Sequence, residues 1–222
     1  MAQPQTPAQA WAALLDGNAR FAADRAVHPR QDSARRAETA TRRAPLALVL
    51  ACMDSRVSPE IIFDQGIGDL AVVRTAGQVL DSIGLASIEF GVAQLGARLV
   101  VVLGHDDCGA VATTLRAHGT GEIPGGRIRA VIDGIAPSMS AVRRAASSFA
   151  GVDPDVVSDE HVRRTSRLLV EWSPVLAEHV ANGSCAVVGT GYRLASGDLR
   201  VLETLGDIGD SPMATSPQTD RR

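Results

Sequence analysis

The chain contains no lysine, because all 22 of its basic residues are arginine. Schiff-base chemistry and a lysine-bearing phosphate loop are therefore excluded. The arginines are scattered and the net charge is only −3, so no basic stripe marks a nucleic-acid partner. No apolar run approaches the ~20 residues needed to cross a bilayer, and MAQPQTPAQAW lacks a basic region followed by an apolar core. A cytoplasmic protein without membrane contact is expected. An odd set of three cysteines, Cys52, Cys108 and Cys185, argues against a disulfide framework and for metal or catalytic use. There is no internal repeat. GTGEIPGG lacks the spacing of a dinucleotide fingerprint and does not directly follow a strand.

What is present is enough for a sizeable core. A chain of 222 residues that is 45% apolar suits one large domain, or one domain with an appendage. Residues 1–44 are polar and rich in alanine and arginine, with Trp11, Leu14, Leu15 and Phe21 at roughly helical spacing. They predict a helical arm lying on its own domain or on a second subunit, with a second short helix in SARRAETATRR before Pro45. Residues 45–208 alternate apolar runs with segments of helical period. The runs are Leu46–Cys52, Leu70–Arg74, Leu99–His105 and Cys185–Gly189, and the helical segments include Ser82–Gly96 and Ala110–His118. That alternation predicts an α/β fold with a mostly parallel central sheet flanked by helices. A Ser-Gly-Asp turn at 196–198 predicts a hairpin that adds Leu199–Leu205 as an antiparallel edge strand. Between the helical segment ending at His118 and the fourth strand lie about sixty-six residues; after the GTGEIPGGR loop they read as helical, with Pro137, Pro154 and Pro174 marking starts or breaks. Residues 209–222 read as a disordered tail.

LALVLACMDSR carries the first chemical signal. An apolar run without alternation is a strand buried on both faces of a parallel sheet, and its reactive residues come at the carboxyl end, where open α/β sheets bind ligands. The third run ends likewise in GHDDCG. Neighbouring parallel strands lie ~4.8 Å apart, so Cys52, His105 and Cys108 can meet around one metal ion. Two thiolates and an imidazole suit zinc, and three ligands leave a fourth position open. Cys185 falls near the start of its strand, at the wrong edge, and reads as core. Asp54 and Arg56 follow Cys52 at alternate positions, so an extended backbone points all three the same way. An arginine beside a carboxylate holds it ionised and fixes its geometry. Alternatively, Asp54 is a turn residue and Ser55 and Arg56 cap the next helix. Zinc with two thiolates and a neutral imidazole is formally neutral and acidifies its water less than a three-histidine site does. Asp54 is then the group that orients that water or receives its proton, unless it occupies the fourth position and blocks the site.

CMDSRV followed about fifty residues later by GHDDCG resembles the β-class carbonic anhydrases. The similarity extends through EIIFDQGIGDLAVVRTAG and SIEFGVAQLGARLVVVLGHDDCGAV to GTGYRL. It implies one zinc per subunit held by Cys52, His105 and Cys108, with Asp54 and Arg56 as the catalytic dyad. The implied reaction is reversible hydration of carbon dioxide to bicarbonate by attack of zinc-bound hydroxide. A homodimer or homotetramer whose arms clasp the partner, with sites near the subunit interface, is implied as well. By the same alignment Phe90 stands where the family commonly has a pocket tyrosine, and Gln65 and Ala71 fall near the pocket unless they merely pack. Gly109 either lets the backbone approach the substrate or simply turns the chain. Arg43, nine residues before Cys52, replaces a substrate-binding glutamine common among relatives. Arg74 and Tyr192 match two members of an inhibitory bicarbonate site whose tryptophan position is Val49 here. Two other readings stand beside this one: a carbonyl sulfide or carbon disulfide hydrolase on the same scaffold, and a non-catalytic zinc-binding regulatory module.

Overall fold

Residues 6–145 and 152–210 are described by a computed structural model. Five strands form its sheet: β1 (Ala47–Cys52), β2 (Leu70–Thr75), β3 (Leu99–His105), β4 (Ala186–Tyr192) and β5 (Leu199–Leu205). The order across the sheet is β2-β1-β3-β4-β5. The first four are parallel, and β5 closes the edge antiparallel to β4, as the turn at 196–198 requires. From β1 the chain crosses first to β2 on one side and then to β3 on the other, so the topology reverses at β1. A crevice opens at such a switch point, beyond the carboxyl ends of the strands. Cys52 ends one strand of this crevice and His105 ends the other.

β1 and β3 are buried along their whole length, which is why their sequences show no alternation. Alternate residues nevertheless face different layers. Val49 and Ala51, with Val101 and Leu103, pack against Trp11, Leu14 and Phe63. Leu48 and Leu50, with Val100 and Val102, pack against Ile88, Val162, Leu169 and Leu176. The first layer is covered by α1 (Pro7–Ala22) and the short α3 (Pro59–Ile62), which respectively precede and follow α2 (Ser33–Thr39) in the chain. The second is covered by α4 (Ser82–Ala93), α7 (Pro154–Trp172) and α8 (Pro174–Ala181). A third cluster joins Cys52 and Cys108 to α5 (Gly109–Thr120), α6 (Ile128–Ala145) and the start of α7 through Val111, Ile135, Met139 and Val157.

Of the two places open to the arm, α1 takes the sheet of its own chain. Burying Trp11 and Leu14 there is worth about 1.5–3 kcal/mol per side chain. Asn18 Nδ2 donates to the carbonyls of Ile62 and Gly197 at 3.2 and 2.8 Å, tying α1 to α3 and to the β4–β5 hairpin. Arg20 pairs with buried Asp64 at 2.6 Å. The segment after α1 is held through Asp69, which takes Arg30 at 2.6 Å and Arg35 at 3.0 Å.

Pro154 and Pro174 open α7 and α8, where a missing amide costs nothing. Pro137 differs from expectation, lying inside α6 without breaking it. Ile132, Ile135 and Met139, all buried, continue the apolar face of α6 across the proline, so packing holds the helix through the lost hydrogen bond. Cys185 is buried in the second layer, as expected of a core residue. Of the expected tail, residues 211–222 lie outside the described residues. No helix among those described is long and apolar enough to cross a membrane.

Candidate metal centre at the β1–β3 crevice

Cys52, His105 and Cys108 come together at the switch point, buried, with one donor atom from each within 4.8 Å of the others. Cys52 and His105 are placed by the ends of β1 and β3. Cys108 caps α5 after a turn in which Asp107 takes a positive φ of 50°.

The chemistry of the three donors fits a thiophilic divalent ion. His105 Nδ1 lies 2.7 Å from the Asp106 carbonyl and must carry the proton there, which leaves Nε2 as a lone pair. Nε2 is buried and has no hydrogen-bond partner among the described residues. A buried imidazole nitrogen without a partner is costly unless something is bound to it. The thiols are prepared as well. Cys52 Sγ accepts N–H groups from Asp54 and Gly77, both at 3.4 Å. Its thiol is held far below the ordinary range, first by the hydrogen bond from Cys108 and then by His105 and the two amides, against the opposing effect of burial. Cys108 retains the shared proton and is pushed up by that same contact and by burial, while amides of the first turn of α5 pull the other way. Burial opposes protonation of His105, but the adjacent Cys52 thiolate outweighs it, so its pKa rises. One thiol is thus poised to ionise and the other is furnished with N–H donors for when a cation displaces its proton.

Asp54 is not part of this trio; its Oδ2 lies 4.0 Å from His105 Nε2. Both of its oxygens are gripped by Arg56. Oδ1 accepts the Arg56 backbone N–H at 2.9 Å and Nε at 3.0 Å, and Oδ2 accepts Nη2 at 2.8 Å. These bonds, the side-chain pairing foremost, hold the carboxyl well below the usual carboxylate range. Arg56 is itself anchored, with Nη1 on the Asp107 carboxylate and Nη2 on the Asp107 carbonyl. Strand alternation does not produce this arrangement. β1 ends at Cys52, and a turn closed by Val57 N–H on the Asp54 carbonyl brings Asp54 and Arg56 together. Asp54 is therefore both a turn residue and a paired carboxylate, two roles that the sequence presented as alternatives.

The remaining candidates spread out. Arg74 donates Nε to the Cys52 carbonyl and Nη2 to the Asp54 carbonyl, at 3.1 and 2.6 Å, and so braces the loop from beneath. Tyr192 is buried beside His105 on β4, three strand spacings from β2, or roughly 14 Å. With Arg74 committed to carbonyls, Val49 in the tryptophan position and the strands so far apart, the pair does not assemble an anion site within one chain. Gly109 opens α5 with nothing within 4 Å of where a Cβ would stand. Ala71 pairs with Leu48, four residues before the partner of Cys52 and about 13 Å down the strand. Gln65 is at the far end of β1, bound to Arg30 and the Phe63 carbonyl, and lines a cleft of about 670 Å³ with Leu46 and Asp69. Arg43 precedes β1 and is exposed, and Phe90 on α4 is 54% exposed. Within one chain none of these four reaches the Cys52 end of the strand.

Sequence reading missed the helix that supports the centre. Along one side of α7, Asp155 Oδ1 accepts the Asp107 N–H at 3.0 Å and Ser158 Oγ donates to the His105 carbonyl at 2.8 Å. His161 Nε2 meets the Gly77 carbonyl at 3.0 Å. Polar residues spaced by three in DVVSDEH were the available signal, but nothing in the sequence says that this face covers the crevice.

Comparison with known proteins agrees with this geometry. Residues 47–199 match the sequence model of the carbonic anhydrase family. A carbonic anhydrase of Mycolicibacterium smegmatis is 46% identical over 204 residues, covering 92% of this chain and 97% of that protein. Carbonic anhydrase 2 of Mycobacterium tuberculosis is 45% identical over the same length, with the same coverage of each. Among solved structures, a Coccomyxa β-carbonic anhydrase in complex with acetazolamide superposes with a TM-score of 0.68 at 25% identity, covering 86% of each chain. A fold with its switch point at β1, a Cys-His-Cys trio in that crevice and relatives at this level of identity lead to one conclusion: the chain belongs to the β-carbonic anhydrase family.

Proposed function

We propose that this chain is a zinc enzyme that reversibly hydrates carbon dioxide to bicarbonate and a proton. Cys52, His105 and Cys108 would hold one ion per subunit. Bound there, zinc would supply the Lewis acidity that makes water a nucleophile at neutral pH. Asp54 orients that water and takes its proton at Oδ2, the oxygen facing His105 Nε2. Arg56 keeps Asp54 ionised and, by occupying both oxygens, keeps it from turning onto the metal as a fourth ligand. This grip on Asp54 beside an otherwise buried trio of donors is the observation that carries the reading. A purely structural centre has no use for an oriented, partly exposed carboxylate next to it.

The pocket residues Arg43, Gln65, Ala71 and Phe90 act, in this reading, on a partner subunit's site. What supports this is their distance from Cys52 within one chain and the exposed apolar side chains Met53, Ile61 and Phe90, each more than half exposed. A homodimer or a tetramer built from it follows. Three free cysteines suit a reducing, cytoplasmic location.

The test is stopped-flow hydration of carbon dioxide with zinc stoichiometry on the same sample and carbonyl sulfide as a parallel substrate. Turnover of carbon dioxide in proportion to zinc supports the reading. Turnover of carbonyl sulfide alone would reassign the substrate, and full zinc with no turnover would make the chain a binding module.

A further inference from the structure

Behind the cysteine trio, a chain of hydrogen bonds runs from the helical insert to Cys52. Ser138 on α6 meets His161 Nδ1 at 3.1 Å, and His161 Nε2 lies 3.0 Å from the Gly77 carbonyl. The Gly77 N–H in turn points at Cys52 Sγ at 3.4 Å. The carbonyl must accept, so Nε2 carries the ring proton and Nδ1 accepts from the Ser138 hydroxyl. Each polar atom of the imidazole thus has one partner, in a site where His161 is 3% exposed. The turn it holds is unusual. Gly77 and Gln78 both take positive φ, 63° and 44°, between β2 and α4. A Cβ on Gly77 would meet Ala110 and Ile135 at 2.9 Å. A left-handed pair containing a non-glycine residue persists only when its surroundings fix it.

Resting on the zinc reading above, we infer that His161 is a positioning residue for Cys52, fixing the strained Gly77 turn so that the Gly77 N–H stays aimed at the thiolate. Burial drives the imidazole pKa down to about 4, which keeps the ring neutral and the donor arrangement intact around neutral pH. The insert between β3 and β4 thereby acts on the metal site through α6 and α7 without touching the ion. An N–H donated to a thiolate withdraws charge from sulfur. It lowers the energy of the sulfur lone pair and holds the ligand in place before the metal arrives.

The experiment replaces zinc with cobalt(II) in the full chain and reads the thiolate-to-cobalt charge-transfer band, together with cobalt affinity. In His161→Leu, which keeps bulk but donates nothing, the band should move to lower energy and the affinity should fall about tenfold. His161→Gln, whose amide can reach the Gly77 carbonyl, should restore both. A folded His161→Leu chain with the wild-type band overturns the inference, as does a folded glutamine variant displaced as far as the leucine one. If the leucine variant does not fold, nitrogen NMR of the cadmium-loaded wild type decides instead. A proton on His161 Nε2 and scalar coupling between cadmium and the Gly77 amide proton support the inference, and a proton on Nδ1 overturns it. Failure of the wild type to bind cobalt or cadmium at all would instead refute the metal-centre reading.

Discussion

Replacing Asp54 by Asn separates the proposed chemistry from the architecture around it. The substitution preserves shape but removes charge and one acceptor. If the amide oxygen keeps the bonds from Arg56 N and Nε at 2.9 and 3.0 Å, the new NH2 faces Arg56 Nη2 across 2.8 Å, donor against donor. Arg56 must swing slightly, yet its bonds to the Asp107 carboxylate and carbonyl still anchor it. The pair is partly solvated, so the expected cost to stability is below about 1 kcal/mol. None of the three metal donors is touched, so zinc content should remain at one per chain. The rate is another matter. A positioned acid or base contributes about 10²–10⁴-fold, which corresponds to roughly 3–5 kcal/mol of barrier. The assay is stopped-flow hydration with an indicator dye, normalised to zinc measured on the same sample and accompanied by a thermal melt. Loss of rate with zinc and melting temperature retained is the expected outcome. A fully loaded variant within about twofold of wild type across the pH range would remove Asp54 from the mechanism.

Cys52→Ser and Cys108→Ser should each lose zinc and activity together, because a hydroxyl is a far poorer zinc ligand than a thiolate; full metal retention by either variant, measured by mass spectrometry, contradicts the donor assignment. Gly17→Ala would place a Cβ 1.8 Å from the Phe63 carbonyl oxygen, and since backbone cannot step aside, α1 must lift. A loss of at least 1–3 kcal/mol is expected in denaturant melts, and unchanged stability would mean that α1 does not pack on its own sheet. His161, with its pKa lowered to about 4 in the fold against about 6.5 unfolded, takes up its proton later in the native state than in the denatured one. Stability is therefore whole above the unfolded value and falls as pH drops from there toward the folded value. The loss is on the order of 3 kcal/mol for a shift of about 2.5 units. Apoprotein melts of wild type against His161→Gln should show the difference closing toward acid pH, and parallel curves would count against a buried neutral imidazole.

The fold was legible in the sequence because its strands are buried on both faces. Runs such as LVVVLGH leave no alternative to a central parallel strand, and the turn at 196–198 marks the one antiparallel partner. The trio was legible for a related reason, since Cys52 and His105 end such runs and Cys108 follows three residues later. The partners of these residues were not legible. Asp54 and Arg56 meet through a turn that only backbone geometry reveals. Asp155, Ser158 and His161 reach the crevice because α7 happens to cross it, about fifty residues away along the chain. Pro137 misled because its surroundings in α6, rather than its own preference, decide the helix. Arg43, Gln65 and Ala71 were aligned by position along the chain, yet in space the length of β1 separates them from Cys52.

Zinc-dependent catalysis at Cys52, His105 and Cys108 is tested most directly by titrating metal-free protein with zinc and reading the hydration rate at each addition. It predicts a linear rise that breaks at one equivalent per chain and is absent in Cys52→Ser, with a higher plateau at alkaline than at acid pH. Stoichiometric binding with no rise in rate, or an equal rise in the Cys52→Ser chain, would contradict it.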